Sequence, residues 1–113
     1  MTKKKQEKPA DKSLEKALLA VAIADDQKAE KIQLLQMGPH CSFTDYFILA
    51  TCRSNLQLQG VGHRIVRTLR EVGVRPLNTT GYESGNWVIL DFGDLIVHLF
   101  TPEGRDYYRI EDL

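Results

Sequence analysis

Residues 81–100 read GYESGNWVILDFGDLIVHLF. This stretch predicts a β-hairpin: a strand over 86–92, a tight turn at Gly93 and Asp94, and a strand over 95–100. Gly followed by a small polar residue marks a two-residue turn, because Gly takes φ > 0 without steric cost. Such a turn sets the register, and the register sets which side chains share a face. Pairing Phe92 with Leu95 gathers Val88, Leu90, Phe92, Leu95, Val97 and Leu99 on one side, all apolar. That side is core. The other side carries Trp87, Ile89, Asp91, Ile96, His98 and Phe100. It is too apolar for a solvated face and too charged for an ordinary core face. A mostly apolar face interrupted by charge points to contact with another protein.

The rest of the chain supplies the frame. It has 113 residues, enough for one domain. Residues 1–12 hold Lys3, Lys4, Lys5, Lys8 and Lys12 against Glu7 and Asp11, a net +3, and read as a disordered Lys-rich tail. The chain is neutral overall, so residues 13–113, read as a single domain, carry −3. That balance argues against broad nucleic-acid binding and leaves at most a peripheral contact. No apolar run has the length of a membrane span, and the N-terminus lacks a signal-peptide pattern, so the expected location is the cytoplasm.

Ser13 is the expected N-cap of a helix over 14–26, with Leu14, Ala17, Leu18, Val21 and Ala22 as its apolar stripe. A strand with one wetter face follows, carrying Ile32 and Leu34 and ended by Gly38 and Pro39. Residues 43–51, FTDYFILAT, are apolar on both faces and predict a central strand. A cap at residues 53–55 opens a second helix to about Val72. Leu58, Val61, Ile65, Leu69 and Val72 face inward, and Arg64, Arg67 and Arg70 face mostly outward, where they could contact phosphate but, with Glu71 nearby, read more readily as a solvated surface. Gly60 and Gly62 cost this helix roughly 1 kcal/mol each, which close packing on the sheet would offset. A short strand over 77–80 precedes the hairpin. Thr101, Pro102 and Glu103 have the form of N-cap, N1 proline and first-turn acid, opening a short helix through Tyr108. The order α-β-β-α-β-β-β-α predicts an α/β (α+β) fold, a mixed five-stranded sheet packed by two main helices with one face partly open.

Catalytic chemistry is not evident. Neither a phosphate-binding Gly-rich loop nor a dinucleotide fingerprint occurs. His40 and Cys41 are adjacent, so in extended backbone they point apart. Cys41 and Cys52 alone suggest no disulfide framework, and no metal site or cofactor is expected. Asp91 and Asp94 read as turn caps. Asp91 and His98 read as shaping an interface more than as an acid–base couple.

The ordered set Gly81, Gly85, Trp87, Asp91, Gly93, Asp94, Val97, His98 and Phe100 resembles the signature of the ribosomal silencing factor (RsfS/Iojap) family. Thr44, Asp45, Tyr46 and Phe47 match that family's Ser-x-x-Asp-Tyr-Phe strand. Residues 26–32 resemble its entry to the first strand, and Glu103, Arg105, Tyr107, Tyr108 and Glu111 its closing helix. Thr80, Gln36 and Cys52 depart from the usual residues. The resemblance covers residues 13–113 and implies a nucleotidyltransferase-like core without catalytic carboxylates. It implies a non-enzymatic repressor of translation under nutrient limitation. Such a protein binds the large ribosomal subunit through its protein number fourteen and blocks joining with the small subunit. The partner-binding residues expected from the hairpin face are Trp87, Ile89, Asp91, Ile96, His98 and Phe100, and among them Trp87 matches the family's partner-contacting tryptophan. Burying the apolar ones is worth roughly 1.5–3 kcal/mol each before association costs. Two rival readings are a nucleotidyltransferase-like nucleotide-binding protein or enzyme, and a homodimer through the same face.

Overall fold

A computed structural model describes residues 9–38 and 42–110. The expectations for the Lys-rich tail before residue 9, for Pro39, and for His40 and Cys41 lie outside the described residues. The elements are α1 (Pro9–Asp26), β1 (Glu30–Gln36), β2 (Tyr46–Thr51), α2 (Asn55–Glu71), β3 (Asn78–Thr80), β4 (Trp87–Asp91), β5 (Leu95–Phe100) and α3 (Pro102–Tyr108). The five strands form one mixed sheet in the order β1-β2-β5-β4-β3. Only the β2–β5 pair is parallel. The α+β architecture matches the expected order of elements.

The hairpin forms with the expected register. Trp87 pairs with Phe100, Val88 with Leu99 and Leu90 with Val97. Phe92 N–H donates to the Leu95 carbonyl at 2.8 Å, closing the turn. Gly93 has φ of 91°, the left-handed conformation that the turn demands. The Asp91 carboxylate accepts from Gly93 N–H at 2.8 Å, so this acid caps the turn as its position suggested.

One sheet face carries the main core. Ile48 and Ala50 of β2, Val88 and Leu90 of β4, and Val97 and Leu99 of β5 are buried there under α1 and α2. α2 is capped by Ser54, whose hydroxyl accepts from Gln57 N–H at 3.1 Å. It buries Leu58, Val61, Ile65 and Leu69, while Arg64, Arg67 and Arg70 stay exposed. Val72, expected inside, is the exposed C-cap residue, because the helix ends before its turn comes round to the sheet. Gly62 does permit close packing: a Cβ there would crowd the Tyr82 hydroxyl and Leu99. Gly60 faces open space, so close packing does not explain it.

Two expectations for α1 are corrected. The helix begins at Pro9, and Ser13 lies within it. The inward stripe is also rotated. Leu18 is 52% exposed and Ala22 is exposed, whereas Ala20, Ile23 and Ala24 are buried beside Ala17. Residues 17–24 are apolar throughout, so spacing alone does not choose a face. The sheet chooses small Ala20 and Ala24, which let the helix backbone approach closely. Ser13 instead ties α1 to the hairpin turn. Its hydroxyl donates to Asp94 at 2.6 Å and lies 3.2 Å from Asp45, while Lys16 pairs with Asp94 at 2.9 Å. Burial alone would raise the Asp94 pKa. The Ser13 hydroxyl and the Lys16 ammonium outweigh it, and the net shift is downward.

Candidate interaction face

The second sheet face is built by the same alternation. β5 contributes Ile96, His98 and Phe100, β4 contributes Trp87, Ile89 and Asp91, and β2 contributes Phe47, Leu49 and Thr51. Parallel pairing sets Phe47 beside Ile96 and Leu49 beside His98. Trp87 lies at the centre of a ring cluster. It stacks on Phe100 with centroids 5.5 Å apart and meets Tyr108 of α3 at 4.4 Å. Its indole N–H donates to His98 Nδ1 at 3.0 Å. Phe47 packs edge-on against the His98 ring at 4.7 Å.

This face is therefore not uncovered, as the sequence alone suggested. Phe100 is 0%, His98 5% and Ile96 8% exposed. They form a second small core, with Leu49, separate from the one under α1 and α2. α3 supplies the cover. Thr101 caps it by accepting from Gly104 N–H at 3.2 Å, with Pro102 in the first turn as predicted. Arg105 pins it across the sheet edge. The guanidinium donates to the Lys31 carbonyl at 2.8 Å, to Thr51 Oγ1 at 3.0 Å and to Gln33 Oε1 at 2.7 Å. A register shift between Glu30 and Gln33 in β1 accompanies the left-handed backbone of Lys31, whose carbonyl Arg105 meets. Gly104 lets α3 sit against the hairpin, since a Cβ there would collide with the Asn86 carbonyl.

What stays accessible is a rim of large side chains around that buried patch. Trp87, Ile89, Asp91 and Phe47 are half-buried. Phe43, Tyr107 at 79% exposure and Tyr108 are exposed. Of the six residues singled out from sequence, three reach the surface (Trp87, Ile89, Asp91) and three support them from below (Ile96, His98, Phe100). Phe43, Phe47, Tyr107 and Tyr108 were missed as surface residues. Their aromatic character was visible, but their place on this face depends on parallel pairing and on how α3 docks. Asp91 and His98 do not couple: one caps Gly93 and the other accepts from Trp87.

With Nδ1 accepting from Trp87, His98 holds its proton on Nε2, a buried atom with no partner among the described residues. Burial pushes the imidazole pKa down to about 4, so the ring is neutral near pH 7. Burial likewise raises the Cys52 thiol to about 11, leaving it an unreactive core residue. Among the described residues, no group of three or more His, Cys, Asp or Glu is placed to hold a metal ion. No helix among them is long and apolar enough to cross a membrane.

These features define an α+β domain whose mixed sheet is helix-covered on one face and carries a half-covered aromatic surface on the other. The chain belongs to the ribosomal silencing factor family: the family described as "Ribosomal silencing factor during starvation" matches residues 10–113. It is 36% identical to the ribosomal silencing factor RsfS of Halalkalibacterium halodurans over 95 residues, 84% of this chain and 81% of the relative. A crystal structure of a protein from Chromobacterium violaceum superposes with a TM-score of 0.85 at 36% identity, covering 88% of this chain and 82% of the other. A more distant relative, from Mus musculus, is named "Mitochondrial assembly of ribosomal large subunit protein 1". It is 28% identical over 84% of this chain and 43% of its own length.

Proposed function

We propose that this protein is a ribosomal silencing factor acting in the cytoplasm as a non-enzymatic repressor of translation. It docks on the large ribosomal subunit through protein number fourteen and blocks joining with the small subunit by occupying the surface. The observation that carries this reading is the accessible aromatic rim of Trp87, Tyr107, Tyr108, Phe43 and Phe47 around a pre-packed base. Aromatic anchors held rigid by neighbouring rings are what a specific protein contact uses. The family description and the names of the relatives supply the partner class. Glu103 and Asp106 beside Tyr107 and Asp91 beside Ile89 give the rim an acidic margin, which suits a basic partner. The carboxylates that a nucleotide-binding reading would use are engaged in structure: Asp94 with Ser13 and Lys16, Asp91 with Gly93.

The test is co-sedimentation with purified large subunits. Tyr107→Ala and Trp87→Ala should each weaken binding by about 2 kcal/mol, roughly thirtyfold in Kd, while circular dichroism shows a folded domain. Wild-type binding by both folded variants refutes the docking face. A stable dimer that survives addition of large subunits would assign the face to self-association instead.

A further inference from the structure

The arginines of α2 lie on the other side of the sheet from the aromatic rim. Residues 63–75 hold Arg64, Arg67, Arg70 and Arg75 against Glu71, a net +3, inside a domain that is −3 over residues 13–113. The remainder of the domain is thus −6, and positive charge is concentrated on the C-terminal half of α2 and the short segment after it that carries Arg75. Among the described residues no ion pair engages Arg64, Arg67 or Arg70. His63, Arg67 and Arg70 fall at i, i+4 and i+7, one stripe along the helix. The stripe borders a hollow of about 410 Å³ at the sheet edge, closed by Thr79 of β3 and by Tyr82. The exposed His63 ring is stacked on Tyr82, centroids 5.0 Å apart and planes 18° apart.

We infer that this hollow and its arginine stripe bind the phosphate backbone of single-stranded RNA, as a second contact beside the protein-docking face. The inference rests on the large subunit as the source of that RNA. Three features fit a phosphate chain, and the first and third of them favour it over a lone anion. The stripe spans about 10 Å along the helix axis, long enough to meet successive phosphates. Arg67 and Arg70 present planar, fork-shaped donors that match phosphate oxygens, and Thr79 adds a hydroxyl. The His63–Tyr82 stack provides a flat aromatic surface on which a base can lie.

The test is fluorescence anisotropy with a labelled single-stranded RNA oligonucleotide over a series of salt concentrations. Inorganic phosphate and a polyglutamate peptide serve as competitors. Wild type is expected to bind RNA with a linear log–log salt dependence, and phosphate should compete only weakly. Arg67→Ala with Arg70→Ala should lower affinity about tenfold and flatten the salt slope by about 1.5. Trp87→Ala should leave RNA binding unchanged. Equal RNA binding by wild type and the double variant overturns the inference, as does the absence of binding at low salt. Effective displacement by phosphate would reassign the hollow to a free anion, and displacement by polyglutamate to an acidic protein; either result overturns it too. If RNA binding depends on Arg67 and Arg70 but wild type fails to sediment with large subunits, the docking proposal fails and the RNA contact stands. Sedimentation without arginine-dependent RNA binding gives the reverse.

Discussion

Lowering the pH from about 8 to about 5 should destabilise this domain through His98. The imidazole lies between Trp87, Phe47 and Phe100 and accepts from the Trp87 indole N–H. Protonation adds a second N–H where an acceptor is needed, and it puts a charge in a site where no carboxylate among the described residues is bonded to the ring. The folded pKa is about 4, against about 6.5 for the unfolded chain. The unfolded state therefore takes up the proton first. The stabilising contribution is complete above about pH 6.5, declines as the pH falls, and is gone below about pH 4. Linkage puts the loss at about 2 kcal/mol by about pH 5 and about 3 kcal/mol by about pH 4. Asp94 also has a depressed pKa, but its contribution is lost only below the ordinary carboxylate range. The assay is urea denaturation followed by the fluorescence of Trp87, the single tryptophan. The non-titrating His98→Gln variant keeps a side-chain acceptor for the indole, and it should lose most of the slope between about pH 8 and pH 5. His40 and His63 remain in both proteins, so the difference isolates His98. An identical slope in the two proteins, or a His98 pKa near 6.5 by NMR, refutes the reasoning.

Phe100→Ala should cost about 3–5 kcal/mol of stability, since the ring is fully buried, and it is read as a fall in the thermal midpoint. It is thus a folding variant and not a clean probe of partner contact, unlike Tyr107→Ala. Arg105→Met should remove three bonds that hold α3 to β1 and β2, costing about 3 kcal/mol. Limited proteolysis should then cut first near α3; cleavage indistinguishable from wild type would refute its role as the pin.

The hairpin, the caps at Ser54 and Thr101, and the inward residues Leu58, Val61, Ile65 and Leu69 were legible in the sequence. Each depends on neighbours within a few residues: a glycine that takes φ > 0, a hydroxyl three residues before an amide, an apolar side chain every third or fourth position. The two faces of residues 81–100 follow from the turn alone. The orientation of α1 was not legible, because its middle is apolar on every side and only contact with the sheet selects Ala20 and Ala24.

Tertiary structure alone decided what the second face is for each residue. Residues 46–51 meet residues 95–100 in parallel, far apart along the chain, and this pairing puts Phe47 beside Ile96 and over His98. The bulge at Lys31, in another element again, presents the carbonyl to which Arg105 binds, and so sets where α3 lies. Long-range pairing has no local signature, since its energy appears only once both segments are in place. Hence the sequence by itself determined that residues 81–100 have two apolar faces. Only the folded chain divided the second into a buried base of Ile96, His98 and Phe100 and an accessible rim led by Trp87.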